Sequence, residues 1–201
     1  MPTNKPARDS AIYQIKIALR TKPPIWRRVL VPAGITMAKL HDVIQAAMGW
    51  EDGHMHGFQA GRIFIGRPSS EDEFMGGVRP LNEAKVRVQD VIRKAGDKVH
   101  YTYDYGDSWE HQITLEKVLE PQPDAAYPVC IAGKLRCPPE DCGGVWGYIN
   151  LLEALGDPSH PEHDDMMEWA GPIDPERFSV DEANMRLARL RPRKARSAKS
   201  T

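Results

Sequence analysis

Residues 98–119, KVHYTYDYGDSWEHQITLEKVL, hold two alternating runs on either side of Gly106. That pattern predicts a β-hairpin, and the hairpin can be tested for register because opposed residues share a face and a one-residue slip exchanges the faces. With a two-residue loop, Gly106-Asp107, the tyrosines would share a side with Glu110 and Gln112. With a three-residue loop, residues 106–108, Tyr105 pairs with Trp109, Tyr103 with His111, Tyr101 with Ile113 and Val99 with Leu115, and one face is apolar throughout. The second register is therefore the expected one. It assigns Tyr101, Tyr103 and Trp109 to a core and leaves His111 on an apolar face, where it needs a hydrogen-bond partner or a ligand. Asp107 sits in the turn, where Asp is favoured on structural grounds alone.

The rest of the chain reads as a sheet with helices added. AIYQIKIAL (residues 11–19) places Tyr13, Ile15, Ile17 and Leu19 on one face, and IWRRVLVP (25–32) follows after a short break, which predicts an antiparallel pair. In TMAKLHDVIQAAMGW, Thr36 is a helix cap, Met37, Leu40, Ile44, Ala47 and Met48 recur at helical spacing, and Gly49 stops the helix. HMHGFQA and RIFIG predict two more strands, residues 67–84 a loop, and VRVQDVI a short helix near 88–94. Residues 120–144 are rich in Pro and Gly and predict a long irregular segment. VWGYINLLEALG predicts a helix ending near Gly156, while Ser159 with Glu162 and Ser179 with Glu182 have capping-box spacing. The expected fold class is α+β: a mixed, mainly antiparallel sheet, a helix packed after the first two strands, and a helical C-terminal third.

With 201 residues, 41% hydrophobic residues and a net charge of -1, the chain suits one domain over residues 11–190 and names no partner through charge. Residues 1–10 predict a disordered arm, and the basic RPRKARSAKST from Arg191 a disordered tail able to touch a nucleic-acid backbone weakly. No apolar run approaches a membrane span or a signal peptide, so the expected location is the cytoplasm.

Metal-ligand chemistry is the main functional signal. His54 and His56 at i and i+2 would share one strand face, with Asp52 close by. His111 and the adjacent Glu140 and Asp141 of CPPEDCGG complete the candidate ligands for a divalent metal such as zinc. A structural alternative stands beside each: Glu140 or Asp141 could cap the following helix, and paired histidines are common without an ion. Asp52, Tyr105, Asp107 and Trp109 are candidate pocket residues. Cys130, Cys137 and Cys142 lack C-x-x-C spacing and read as free thiols, although a Cys3His zinc site stays open. His160 and His163, with Asp164 and Asp165, read as a solvated acidic face. Arg27 and Arg28 point to opposite faces of a strand and read as structural or solvated arginines.

The segments PPIWRRVLVP, LHDVIQAAMGWEDGHMHGF, YDYGDSWEHQITLE, PPEDCGG and WAGPIDPERFSVDEAN occur in order over about residues 12–190. In these the chain resembles the plasmid pRiA4b ORF-3-like family, also named after the passenger TnpR protein of an insertion element. The resemblance implies an α+β fold and a mobile-element association, with no defined activity. A serine recombinase would need a nucleophilic serine among arginines at the phosphate, a constellation this sequence lacks. Two functions follow as expectations: a non-enzymatic binding module for a protein or nucleic-acid partner, or a metal-dependent hydrolase using a His/carboxylate site. Metal content discriminates them.

Overall fold

A computed structural model describes residues 10–68 and 79–191. The expected disorder of the arm and the tail concerns residues outside that range, apart from Ser10 and Arg191; Arg191 donates to the Pro128 carbonyl.

The fold is α+β. Eight strands form one sheet: β1 (Ile12–Leu19), β2 (Ile25–Pro32), β3 (His56–Ala60), β4 (Ile63–Gly66), β5 (Leu81–Asn82), β6 (Lys98–Tyr103), β7 (Trp109–Leu119) and β8 (Val129–Lys134). Their order across the sheet is β5-β4-β3-β6-β7-β1-β2-β8, and every pair is antiparallel except β4 with β5. The helices are α1 (Met37–Met48), α2 (Val88–Val91), α3 (Gly144–Gly156), α4 (His163–Ala170) and α5 (Val180–Ala188).

The alternation in β1 does what it predicts. Tyr13, Ile15, Ile17 and Leu19 are all buried, and β2 pairs with β1 antiparallel from Ile12 opposite Pro32 to Leu19 opposite Ile25. Helix α1 lays Met37, Leu40, Ile44, Ala47 and Met48 into the same core. The Thr36 side chain accepts from the Lys39 amide, and Gly49 at φ 99 closes the helix in the left-handed region. Arg28 turns to the other side of the sheet, where it forms an ion pair with Glu116 that holds that carboxyl below its usual range.

The central hairpin has the expected faces and a different register. Tyr103 pairs with Trp109, Tyr101 with His111 and Val99 with Ile113, so the strands are offset by two residues and the loop spans 104–108. An even offset keeps each side chain on its face, and Tyr101, Tyr103, Trp109, His111, Ile113 and Leu115 are all fully buried. The longer loop is closed by Asp104. Its carboxylate accepts from the Gly106 amide at 2.9 Å, its carbonyl accepts from the Ser108 amide at 2.6 Å, and Asp104 and Ser108 take φ of 56 and 52. Asp tolerates that conformation because its short side chain bonds locally.

Four other expectations are corrected. Residues 129–134 form β8 beside β2 despite the Pro and Gly around them, because the exposed backbone of β2 offers a ladder. Strand β3 starts at His56, which leaves His54 in the loop before it. The C-terminal third is less helical than expected, with short helices α3, α4 and α5 joined by irregular segments. Helix α4 begins at His163 with no side-chain cap, so Ser159 caps nothing and His160 lies outside the helix; Ser179 does cap α5.

Candidate functional site

Three segments converge beyond the ends of β3 and β6: the loop 50–55 that leaves α1, the hairpin turn 104–108, and the loop 136–143 that enters α3. Glycines permit this approach. A Cβ on Gly144, which sits at φ 67, would collide with the Asp107 carbonyl oxygen, and one on Gly147 with the Cys142 carbonyl oxygen. Helix α3 is capped by Gly143 with no side-chain hydrogen bond, so neither Glu140 nor Asp141 caps it. Their carboxylates turn to the other two segments. Glu140 accepts from the Tyr103 hydroxyl and from the Glu51 amide, and Asp141 lies 3.2 Å from His54 Nε2.

The buried part of this region is a closed polar network. His41 Nε2 lies 2.7 Å from Asp52 and donates to that carboxylate, so in the neutral ring Nδ1 accepts the Tyr101 hydroxyl at 2.8 Å. Gln45 Nε2 donates to the same hydroxyl, and Gln45 Oε1 accepts from the Asp52 amide, which closes the ring. His56 stacks on His41 with centroids 3.4 Å apart and planes 5° apart, and its Nε2 is 2.8 Å from Glu83. Burial, then the neighbouring His56, lowers the His41 pKa against the pull of Asp52. Burial opposes ionisation of Glu83, yet the hydrogen bond and charge of His56, with His41 and Arg67, hold its carboxyl below the usual range.

Two side-chain groups bring donor atoms within 4.8 Å of one another: His41, Asp52 and His56, and separately His54, Asp104 and Asp141. The first does not suit an ion. Imidazole lone pairs lie in the ring plane, and an ion about 2.1 Å from two stacked rings would sit roughly half their separation out of each plane. Both His41 nitrogens are also already engaged. His54 and His56 therefore do not share one ion; they belong to separate groups.

The second group has no stacked pair of imidazoles, and its His54 ring presents Nδ1 toward Asp104 and Nε2 toward Asp141. Asp104 is buried at 9% exposure, and its Oδ2 has His54 Nδ1 only at 3.7 Å, beyond hydrogen-bond length. A buried carboxylate without a close cation is costly. Asp141 is mostly exposed, so the group opens to solvent on one side.

The other candidates lie outside both groups. His111 is wholly buried, donates through Nδ1 to the Trp109 carbonyl at 3.0 Å, and leaves Nε2 without a partner among the described residues; burial pushes its pKa down to about 4. Trp109 Nε1 and Asp107 Oδ2 are likewise buried without a partner. Tyr105 is partly exposed, with its hydroxyl 2.6 Å from the position a Gly57 Cβ would take. Cys130, Cys137 and Cys142 are free thiols, and burial pushes Cys137 and Cys142 up to about 12, which keeps them protonated and unreactive. His163 Nδ1 faces the Ala154 carbonyl.

Sequence reasoning missed Asp104, His41 and Glu83. His41 and Gln45 stand at i and i+4 on the apolar side of α1, a signal that could have marked the buried network. Asp104 is two residues before the turn glycine, an Asx-turn spacing that hides a ligand behind a structural role.

No helix among the described residues is long and apolar enough to cross a membrane. The chain is 36% identical over 167 residues to a protein of Sinorhizobium fredii titled uncharacterized protein y4hQ, covering 82% of this chain and 84% of that one. It is also similar to the crystal structure of a protein of unknown function, MM3350, from Methanosarcina mazei Go1, with a TM-score of 0.76 and 36% identity over 86% of this chain and 97% of that one. The loops that build the site lie inside the segment, residues 11–182, that matches the plasmid pRiA4b ORF-3-like protein family, and the chain belongs to that family.

Proposed function

We propose that this protein is a binding module organised around a divalent cation held by His54, Asp104 and Asp141. The observation that carries the reading is the buried Asp104 carboxylate, grouped with His54 and a second carboxylate and held by no Lys or Arg among the described residues. One imidazole and two carboxylates suit zinc or manganese. Donors from three loops close on an ion only when the loops are docked, so cation binding would stiffen the surface that meets a partner. Metal affinity is then folding energy of those loops.

A second reading, metal-dependent hydrolysis, draws on the same geometry. Three protein ligands and a solvent-open side leave a position for water, which a bound cation would acidify. Glu140, next in the chain to Asp141 and bonded to Tyr103, is the carboxylate this reading would use to take its proton. The two readings part on turnover, since only the second requires product release.

Asp104→Asn is the informative variant. Asn keeps the oxygen that accepts from Gly106 and tolerates the positive φ, so the turn survives while the charge is lost. In titration calorimetry of chelator-treated protein with zinc or manganese, one site per chain is expected, and Asp104→Asn should weaken it by about 100-fold. Equal affinity in the variant contradicts the site.

A further inference from the structure

Beyond the cation site, the structure brings a buried arginine, Arg27, and a half-buried one, Arg186, together at the end of α1. Arg27 is 2% exposed, and its guanidinium stacks on Phe178 at 3.9 Å. Its hydrogen bonds go to carbonyls only: Nε to Ala47, Nη1 to Trp26 and Lys134. Arg186 on α5 donates through Nε to the Ala46 carbonyl. Among the described residues, no carboxylate forms an ion pair with either guanidinium. A buried cation is ordinarily paired with an anion, and two such groups side by side repel one another.

The carbonyls of the last turn of α1 supply part of the compensation. A helix C-terminus carries about half a negative charge, less than the full charge of buried Arg27 alone. Arg27 and Arg186 line a cavity of about 600 Å3 together with Arg136 and the Arg177–Glu182 ion pair. That volume lies in the range of small-molecule sites. Acids on its wall are engaged elsewhere: Glu182 with Arg177, Glu140 with Tyr103, and Asp141 with His54. Glu51 is exposed to solvent. Burial lowers the Arg27 pKa, with Cys137 and Cys130 opposing the shift and Arg186 adding to it.

We infer that this cavity binds the oxyanion end of a small ligand, a phosphate or a carboxylate group, with Arg27 and Arg186 as its anchor. Arg186, bonded only through Nε, can offer its two Nη atoms to either anion side by side. Arg27, with Nε and Nη1 spent on carbonyls, adds its charge, so the shared chemistry is the oxyanion. The cavity meets the cation group at one residue, Asp141, which lines the cavity wall and also lies 3.2 Å from His54 Nε2.

The test uses full-length protein stripped of metal with chelator, so that it stands or falls independently of the cation site. Inorganic phosphate and succinate are titrated separately by calorimetry at low salt. Saturable binding of one of them is expected, and the tighter one identifies the source of the oxyanion. Arg186→Gln should weaken it by about tenfold or more, while Arg20→Gln, at an exposed ion pair with Glu110, should leave it unchanged. Because Arg27 is part of the core, Arg186→Lys serves as the second variant: charge without the fork should give an intermediate loss. If neither anion saturates the protein, or if Arg186→Gln binds as tightly as the parent, the inference is wrong.

Discussion

Replacing Gly147 with Ala is expected to lower stability by about 3 kcal/mol or more, at the upper end of what overpacking costs. A Cβ at this position would overlap the carbonyl oxygen of Cys142, which is backbone and cannot swing aside as a side chain would. Relief requires the loop 136–143 to move off helix α3. That loop carries Glu140 to Tyr103 and Asp141 to His54, so the same displacement should weaken cation binding. Gly156→Ala is the control: nothing lies within 4 Å of a Cβ there, and in a helix Ala is favoured over Gly by up to about 1 kcal/mol. Chemical unfolding of both variants checks the contrast. Equal stabilities would mean that the loop is not docked as described.

Stability should fall steeply as pH drops from about 6.5 to about 4, and His111 should account for much of the loss. Burial holds the folded-state pKa of His111 at about 4, whereas an unfolded histidine titrates near 6.5. Above about pH 6.5 the residue is neutral in both states and its contribution is fully retained. Between the two values the unfolded chain takes up a proton that the folded chain refuses, so unfolding is favoured by up to roughly 3 kcal/mol. His41, lowered by burial and by His56, acts in the same direction as the pH falls below the value of an unfolded histidine. The lowered carboxyl of Glu83 extends the loss to more acidic pH. In His111→Phe, denaturant midpoints at about pH 7 and about pH 4.5 should differ less than in the parent. Parallel losses would mean that His111 does not stay neutral in the fold.

Much of the sheet was legible because alternation is a local signal. The face assignments in β1, β6 and β7 followed from period two alone, and the Thr36 and Gly49 caps from residue type. The hairpin register was not, because a five-residue loop closed by Asp104 keeps the faces of a three-residue loop, and hydrophobic alternation cannot tell an offset of two from none. Strand β8 was hidden for another reason: its ladder comes from β2, about a hundred residues away in sequence, and outweighs the local Pro and Gly content.

The candidate site was legible by segment more than by residue. GWEDGHMH, the YDYGDSWEH turn and PPEDCGG, each singled out for its acids or histidines, lie side by side. Which side chains face each other depended on where β3 begins. Its start at His56 sends that ring inward to Glu83 and leaves His54 at the surface with Asp104 and Asp141, a partition that i, i+2 spacing could not reveal. Arg27 is similar: its strand position gave its face, whereas its lack of a carboxylate partner depends on α1 and α5 packing around it.

The most direct measurement is anomalous X-ray scattering from crystals of the full chain soaked with manganese. A single strong peak is expected between His54, Asp104 and Asp141, with oxygen and nitrogen ligands at about 2.0 to 2.2 Å. Manganese bound elsewhere, or a refined structure in which Asp104 and Asp141 turn away from His54 with no peak between them, would contradict the cation site.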